Sequence, residues 1–176
     1  VMGELLDILG PSRGIMVKPT HLFDEPMLAD PRANIFGCLG DINPYLGRSY
    51  PEVRLPKGLR TCGGHVHIQT TKEEDKYSSN KAYLAKLCDL YLGIPSLLLT
   101  EESGRNGVYG RPGAFRCTSY GIEYRFLDNF WLKSTELMEW VAGQVVLIDE
   151  EYSRGVIDPI YRLDITLSNY NKVKAS

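Results

Sequence analysis

Leu59-Arg60-Thr61-Cys62-Gly63-Gly64-His65-Val66-His67-Ile68-Gln69-Thr70 and Arg116-Cys117-Thr118-Ser119-Tyr120-Gly121-Ile122-Glu123-Tyr124-Arg125-Phe126-Leu127 are the two stretches whose reading decides the fold. Both alternate with the period of two that a strand imposes on its side chains. In the second, Tyr120, Ile122, Tyr124 and Phe126 fall on one side and Gly121, Glu123 and Arg125 on the other. In the first, His65 and His67 share a side, and the Gly63-Gly64 pair lets another group approach the backbone. The first is expected as a central strand and the second as a strand over 116–127.

Helices are expected outward from these strands. Over 75–92, Ala82, Ala85, Leu87, Cys88, Tyr91 and Leu92 recur at helical spacing, and Gly93-Ile94-Pro95 is expected to break the pattern. Over 133–153, Leu137, Val141, Val145 and Ile148 fall on one face. The expected fold class is α+β. Near the start, Glu4 to Leu9 reads as the last turns of a helix ended by Gly10 and stopped by Pro11. A chain that opens with Val1 on such a helix end reads as a fragment. A short strand is expected over 14–18, an irregular stretch over 19–31, and a short buried segment over 96–100. Two functional loops are expected, the long Gly/Pro/Asn/Tyr connection over 35–60 and the Gly/Arg-rich 101–115. The 157–176 tail is expected to fray.

Composition narrows the function. The 176 residues suit one domain spanning 1–176, with 43% hydrophobic and 24% charged residues. Twenty Lys and Arg against 22 Asp and Glu leave a formal charge of -2, which argues against a polyanion-binding surface and so against nucleic acid. The longest charge-free apolar stretch, 90–100, is half of what a spanning helix needs and holds Gly93 and Pro95. No signal peptide is visible at the start, so the cytoplasm is the expected compartment. Cys38, Cys62, Cys88 and Cys117 include no CxxC pair and read as reduced, mostly buried thiols; Trp131 and Trp140 read as packing residues.

Three polar groupings could carry chemistry. His65 and His67 can converge on a metal or a phosphate. Glu123 and Arg125 place a carboxylate and a guanidinium side by side on an otherwise apolar strand. Arg105, Arg111 and Arg116 lie among glycines that permit close approach to an anion. Each grouping alone has an ordinary reading, as hydrogen-bond partners at a sheet surface, a solvated strand face or surface arginines. Together they are a poor design for a plain core, because every buried charge needs a partner. They suit a site for a metal and phosphates.

In order along the chain, Arg60-Thr61-Cys62-Gly63-Gly64-His65-Val66-His67, Tyr109-Gly110-Arg111-Pro112-Gly113-Ala114-Phe115-Arg116 and Tyr120-Gly121-Ile122-Glu123-Tyr124-Arg125 resemble the phage-encoded carboxylate–amine (COOH–NH2) ligases. These phiEco32-like type 2 amidoligases are related in fold to glutamine synthetase and glutamate–cysteine ligase. The resemblance covers 36–131 and implies a curved antiparallel sheet whose concave face carries the site, with the helices on the convex face. It implies an ATP-dependent reaction in which a small-molecule or peptide carboxylate is activated as an acyl phosphate and an amine displaces the phosphate. It implies His65 and Glu123 on metal and His67 beside the nucleotide. Arg125 falls on phosphate or the activated carboxylate, and Arg111 and Arg116 on phosphates or substrate. Arg105 joins His67 and Arg111 as a nucleotide contact. Asp41 and Asn43 look like a family landmark without an assigned role.

The resemblance argues for Mg²⁺ or Mn²⁺, whereas the His65-x-His67 pair read alone favours zinc or manganese. It also implies a host cytoplasm if the gene is a phage's, and relatives that assemble in several ways, so a homo-oligomer is compatible. The further acidic segments that relatives usually carry on N-terminal strands, Asp-Pro-Glu-like and Asp-Gly-x-x-x-Glu-like, are absent from these residues, so the resemblance implies a chain lacking those strands. Two other readings stand beside the ligase: a catalytically incomplete remnant or nucleotide- or metal-binding module of the same fold, and an HxH metal hydrolase.

Overall fold

The computed structural model describes residues 2–11, 13–35, 40–51, 55–70, 79–100 and 105–155. Cys38, the first turn of the expected 75–92 helix, the start of the 101–115 loop and the 157–176 tail lie outside the described residues. In chain order the elements are α1 (Met2–Leu9), β1 (Thr20–Leu22), β2 (Ile42–Asn43), β3 (Arg48–Ser49), β4 (Leu59–Thr61), β5 (Val66–Gln69), α2 (Ser79–Cys88), a π turn (Asp89–Gly93), α3 (Ile94–Ser96), α4 (Arg105–Val108), β6 (Phe115–Cys117), β7 (Gly121–Tyr124) and α5 (Thr135–Arg154). Five strands form one sheet in the order β3-β2-β6-β7-β5, and β1 pairs with β4 in a separate two-stranded ribbon. Every pairing is antiparallel. The expected α+β class holds.

Register sorts the side chains. Glu123 stands opposite His67 on β5 and Arg116 on β6, so these three begin on one face. Tyr124 stands opposite Val66 and Phe115, and Ile122 opposite Ile68 and Cys117, on the other. That second face meets the helices, where Leu84, Ala85, Leu87 and Cys88 of α2, Leu92, and Val141 and Ile148 of α5 join Phe115, Ile122 and Tyr124 in one core. Each fully buried leucine or isoleucine there contributes about 1.5–3 kcal/mol. The long helix has the expected inner face, and it starts at Thr135 because the Ser134 side chain accepts a hydrogen bond from the Leu137 N–H. At the other end of the chain, Gly10 closes α1 with φ +76°, as its position implies.

Several expectations are corrected. The 59–70 stretch is not one central strand: β4 and β5 lie in different sheets, and β5 is at an edge among the described residues. The break is at Gly63-Gly64, where the Gly64 N–H donates to the Leu127 carbonyl and a Cβ on Gly64 would collide with the Asp128 carbonyl and the Trp131 indole. The 116–127 stretch is a hairpin, β6 and β7, turned where the Thr118 N–H reaches the Gly121 carbonyl. Tyr120, in that turn, is exposed rather than in line with Ile122 and Tyr124. The long 35–60 connection holds the β2–β3 hairpin, whose turn is fixed by the Asn43 carboxamide accepting from the Tyr45 and Leu46 N–H groups. Residues 14–18 form no strand; pairing begins at Thr20 instead.

The helix over 75–92 does not break at Gly93. It widens into the π turn and continues through Pro95 to Ser96. After the buried Ser96 that ends α3, residues 97–100 are turn, with Leu98 and Leu99 exposed, not a buried segment. Of the described cysteines, all free, only Cys88 is buried; Cys62 is exposed. Trp131 and Trp140 pack against the core as expected. No helix among the described residues is long and apolar enough to cross a membrane.

Candidate active site

Glu123 is the centre of the charged sheet face. Strand parity sends Tyr124 into the core and Glu123 and Arg125 to the opposite side, where both are nonetheless buried, at 4% and 1% exposure. Charges this enclosed must be paired, and they are. His65 Nδ1 lies 2.7 Å from Glu123 Oε1, and Arg116 and Arg125 approach Oε2 at 2.5 and 3.9 Å. Arg125 Nε also lies 2.9 Å from Asp41 Oδ1, just before β2. Four segments, ahead of β2, ahead of β5, on β6 and at β7, thus converge on one cluster.

Tyr109 closes the circuit. Its hydroxyl accepts from the Arg125 guanidinium and lies 3.1 Å from His65 Nε2. Its ring is flanked by the Arg105 and Arg125 guanidinium carbons at 4.9 and 5.3 Å from the centroid. Burial, with Arg125 next in weight, holds the His65 imidazole below its usual pKa despite the pull of Glu123. A neutral ring then donates from Nδ1 to Glu123 and accepts at Nε2 from Tyr109. Burial pushes the Glu123 carboxyl up, but Arg125, His65 and Arg116 together outweigh it and keep it below the ordinary range. Asp41 goes the other way, raised by burial against Arg125 and Arg111.

The structure brings together His65, Glu123, Arg116 and Arg125 among the residues singled out from the sequence. The others border that cluster or turn to other partners. Arg105 is fully buried and donates to the Phe126 carbonyl at 2.7 Å and the Arg125 carbonyl at 3.4 Å, so it braces the chain behind β7 rather than facing solvent. Arg111 donates to the Pro51 carbonyl at 3.0 Å and lies over the Tyr50 ring at 5.0 Å. His67 is exposed and 2.7 Å from the Tyr120 hydroxyl, turned from Glu123 although opposite it in register. The two histidines therefore do not converge. Tyr109 is the residue sequence reasoning missed, although it heads the Tyr-Gly-x-x-Gly-x-Phe-Arg motif. Asp41 gains a role as the counter-ion of Arg125.

Among the described residues, no three His, Cys, Asp or Glu side chains gather as a metal site. Both ring nitrogens of His65 are engaged within the protein. Glu123 Oε2 and Asp41 Oδ1, by contrast, are buried oxygens with ion-pair neighbours but no aligned hydrogen bond. Hard carboxylate oxygens of this kind fit Mg²⁺ or Mn²⁺, which bind through one or two carboxylates with the remaining positions left to phosphates and water. The guanidinium groups of Arg116, half exposed, and Arg125 suit the oxygens of a phosphate or carboxylate.

Neither the curated proteins nor the solved structures gave a match. Residues 55–174 match the family described as phage phiEco32-like COOH–NH2 ligase-type 2. That span is more than half of the chain and includes His65, Tyr109, Arg116, Glu123 and Arg125. The chain belongs to this family, one named for ligation of a carboxyl group to an amine.

Proposed function

We propose that this chain catalyses ATP-dependent amide-bond formation on a curved sheet of the glutamine-synthetase type. The carboxylate substrate attacks the γ-phosphorus of ATP to give an acyl phosphate and ADP. The amine then attacks the acyl carbon, inorganic phosphate leaves, and the amine nitrogen loses a proton. The observation that carries this reading is the Glu123 cluster: a buried carboxylate held between His65, Arg116 and Arg125 inside the family's matched span.

Such a reaction gathers several negative charges, so its barrier falls mainly through positioning and electrostatics. Arg116, the more exposed of the two, takes the incoming phosphoryl or carboxylate oxygens, and Arg125 holds the site together from behind through Asp41, Tyr109 and Glu123. Glu123 and Asp41 are the residues that would hold Mg²⁺ or Mn²⁺, which supplies neutralisation of phosphate charge when bound. The second reading is a module that binds nucleotide or metal without turnover; it rests on the small number of acidic ligands among the described residues. An HxH hydrolase is disfavoured because His65 and His67 point to different partners.

Calorimetry of ATP with Mg²⁺, with Mn²⁺ and without metal, on the wild type and Glu123→Ala, tests the proposal. Metal-dependent binding that the variant loses is the expected result. In a complete reaction, the same substitution is expected to lower turnover by about 10²–10³-fold, the scale for removing one preorganised electrostatic group. A folded wild type that binds no nucleotide under any of these conditions overturns the reading.

A further inference from the structure

Asp89 lies outside the charged cluster, on the core side of the sheet, at 2% exposure. It begins the π turn that follows α2. Such a turn inserts one residue into the helical repeat and re-aims the side chains around it, and it occurs often at functional sites. The Asp89 carboxylate accepts three hydrogen bonds, from the Tyr124 hydroxyl at 2.5 Å, the Gly113 N–H at 2.7 Å and the Tyr45 hydroxyl at 2.6 Å. All three donors are neutral, so this buried charge is held by hydrogen bonds alone, an arrangement that costs stability relative to an apolar core.

What those donors have in common is their place in the chain. Tyr124 stands between Glu123 and Arg125. Gly113 stands in the loop between Arg111 and Arg116. Tyr45 stands in the turn that follows Asp41 and Asn43. The packing around the carboxylate is close on two sides: a Cβ on Gly93 would collide with the Tyr124 hydroxyl and come within 3.1 Å of Asp89 Oδ1, and one on Gly113 would collide with Pro44. Gly113 also has φ +65°, a conformation that side chains other than glycine's rarely adopt.

We infer that Asp89 is the positioning residue of this site, a single buried carboxylate that fixes from beneath the sheet the three segments carrying Asp41, Arg116 and the Glu123–Arg125 pair. This rests on the proposed function for its catalytic meaning, but its geometric content stands without it. Tyr124 is fully buried between two site residues, so a change in where its hydroxyl is anchored rotates the backbone that aims both. Asp89 does not touch substrate in this arrangement. It acts through the groups it holds.

The test uses the full chain labelled with ¹⁵N at histidine, whose three residues are His21, His65 and His67. The His65 ring nitrogens report on its hydrogen bonds to Glu123 and Tyr109, and His21, in the separate ribbon, is the control. Tyr124→Phe removes one hydroxyl from the core and nothing from the site. It is expected to shift both His65 ring-nitrogen signals, to leave those of His21 in place, and to weaken MgATP about tenfold, equivalent to about 1.4 kcal/mol. Asp89→Leu is expected to do more. Asp89→Asn should restore much of the loss, since its oxygen can still accept from Gly113 and Tyr124 while its amide donates to the Tyr45 oxygen. If Asp89→Leu fails to fold, Tyr124→Phe decides. A folded Tyr124→Phe with unmoved His65 signals, or an Asp89→Asn with wild-type fold and no rescue over Asp89→Leu, overturns the inference. A wild type that binds no MgATP counts against the proposed function alone, because the His65 signals are read without nucleotide.

Discussion

Asp89→Asn offers a stability measurement whose size can be worked out beforehand. Burial pushes the Asp89 carboxyl up to about 6 from an ordinary 3.8, outweighing the hydrogen bonds from Tyr124, Tyr45 and Gly113 that favour the anion. A carboxyl whose pKa is raised by folding binds its proton more tightly in the native state. Its contribution is therefore complete below 3.8 and is lost as the pH rises through about 6. The gap between those values corresponds to about 3 kcal/mol. Other carboxyls contribute slopes of both signs, Glu123 opposite to Asp89 and Asp41 alike, but both proteins contain them and they cancel on subtraction. Urea unfolding of wild type and Asp89→Asn at several pH values between about 3.5 and 7 should show wild type losing about 3 kcal/mol relative to the variant across that range. A difference that stays flat with pH would refute the reasoning, and one that rises would mean that the site stabilises the anion more than burial penalises it.

Arg105→Met removes the donors that satisfy the Phe126 and Arg125 carbonyls in the interior and should cost about 2–4 kcal/mol in urea unfolding; a loss below about 1 kcal/mol would show that water replaces them. Arg116→Ala should cost about 1–3 kcal/mol of stability, since it takes a partner from the buried Glu123 carboxylate, and weaken MgATP measurably by calorimetry. Equal nucleotide affinity in that variant would remove Arg116 from the site. Gly110→Ala places a Cβ against the Arg105 guanidinium and the Phe126 carbonyl at φ +69°, and should cost about 2–4 kcal/mol in a thermal melt. An unchanged midpoint would mean that the loop relaxes freely.

Parity made the centre of the site legible. Glu123 and Arg125 stand two apart in a strand whose other residues are apolar, and that spacing alone predicts a shared polar face opposite a buried Tyr124. The α5 helix was legible for a similar reason, since a long period of apolar residues outvotes local noise. Turns were less readable. Nothing in the alternation of 116–127 distinguishes one strand from two strands folded at Thr118, because both hairpin arms keep the same period. The Gly63-Gly64 pair suggested close approach, which is correct, but what approaches is the protein's own Leu127–Trp131 segment. The arginines were the hardest to place. A guanidinium among glycines looks like an anion contact, yet Arg105 serves backbone carbonyls and Arg111 serves Pro51 and Tyr50, partners supplied from 20 or more positions away. Tyr109 was passed over because a phenol becomes informative only when its two neighbours are known.

The face-sorting of β6 and β7 has a consequence for how this chain can change length. Because alternate residues of the same short strands build both the core and the charged cluster, inserting a single residue within the 121–124 arm ahead of Glu123 would exchange the faces of the residues beyond it, sending Glu123 toward the helices and Tyr124 outward. Inserting two restores the faces and lengthens only the turn at 118–120. Length variation among functional relatives in this hairpin should therefore come in even steps, or be confined to the turn itself, while the loops on either side are free of that constraint.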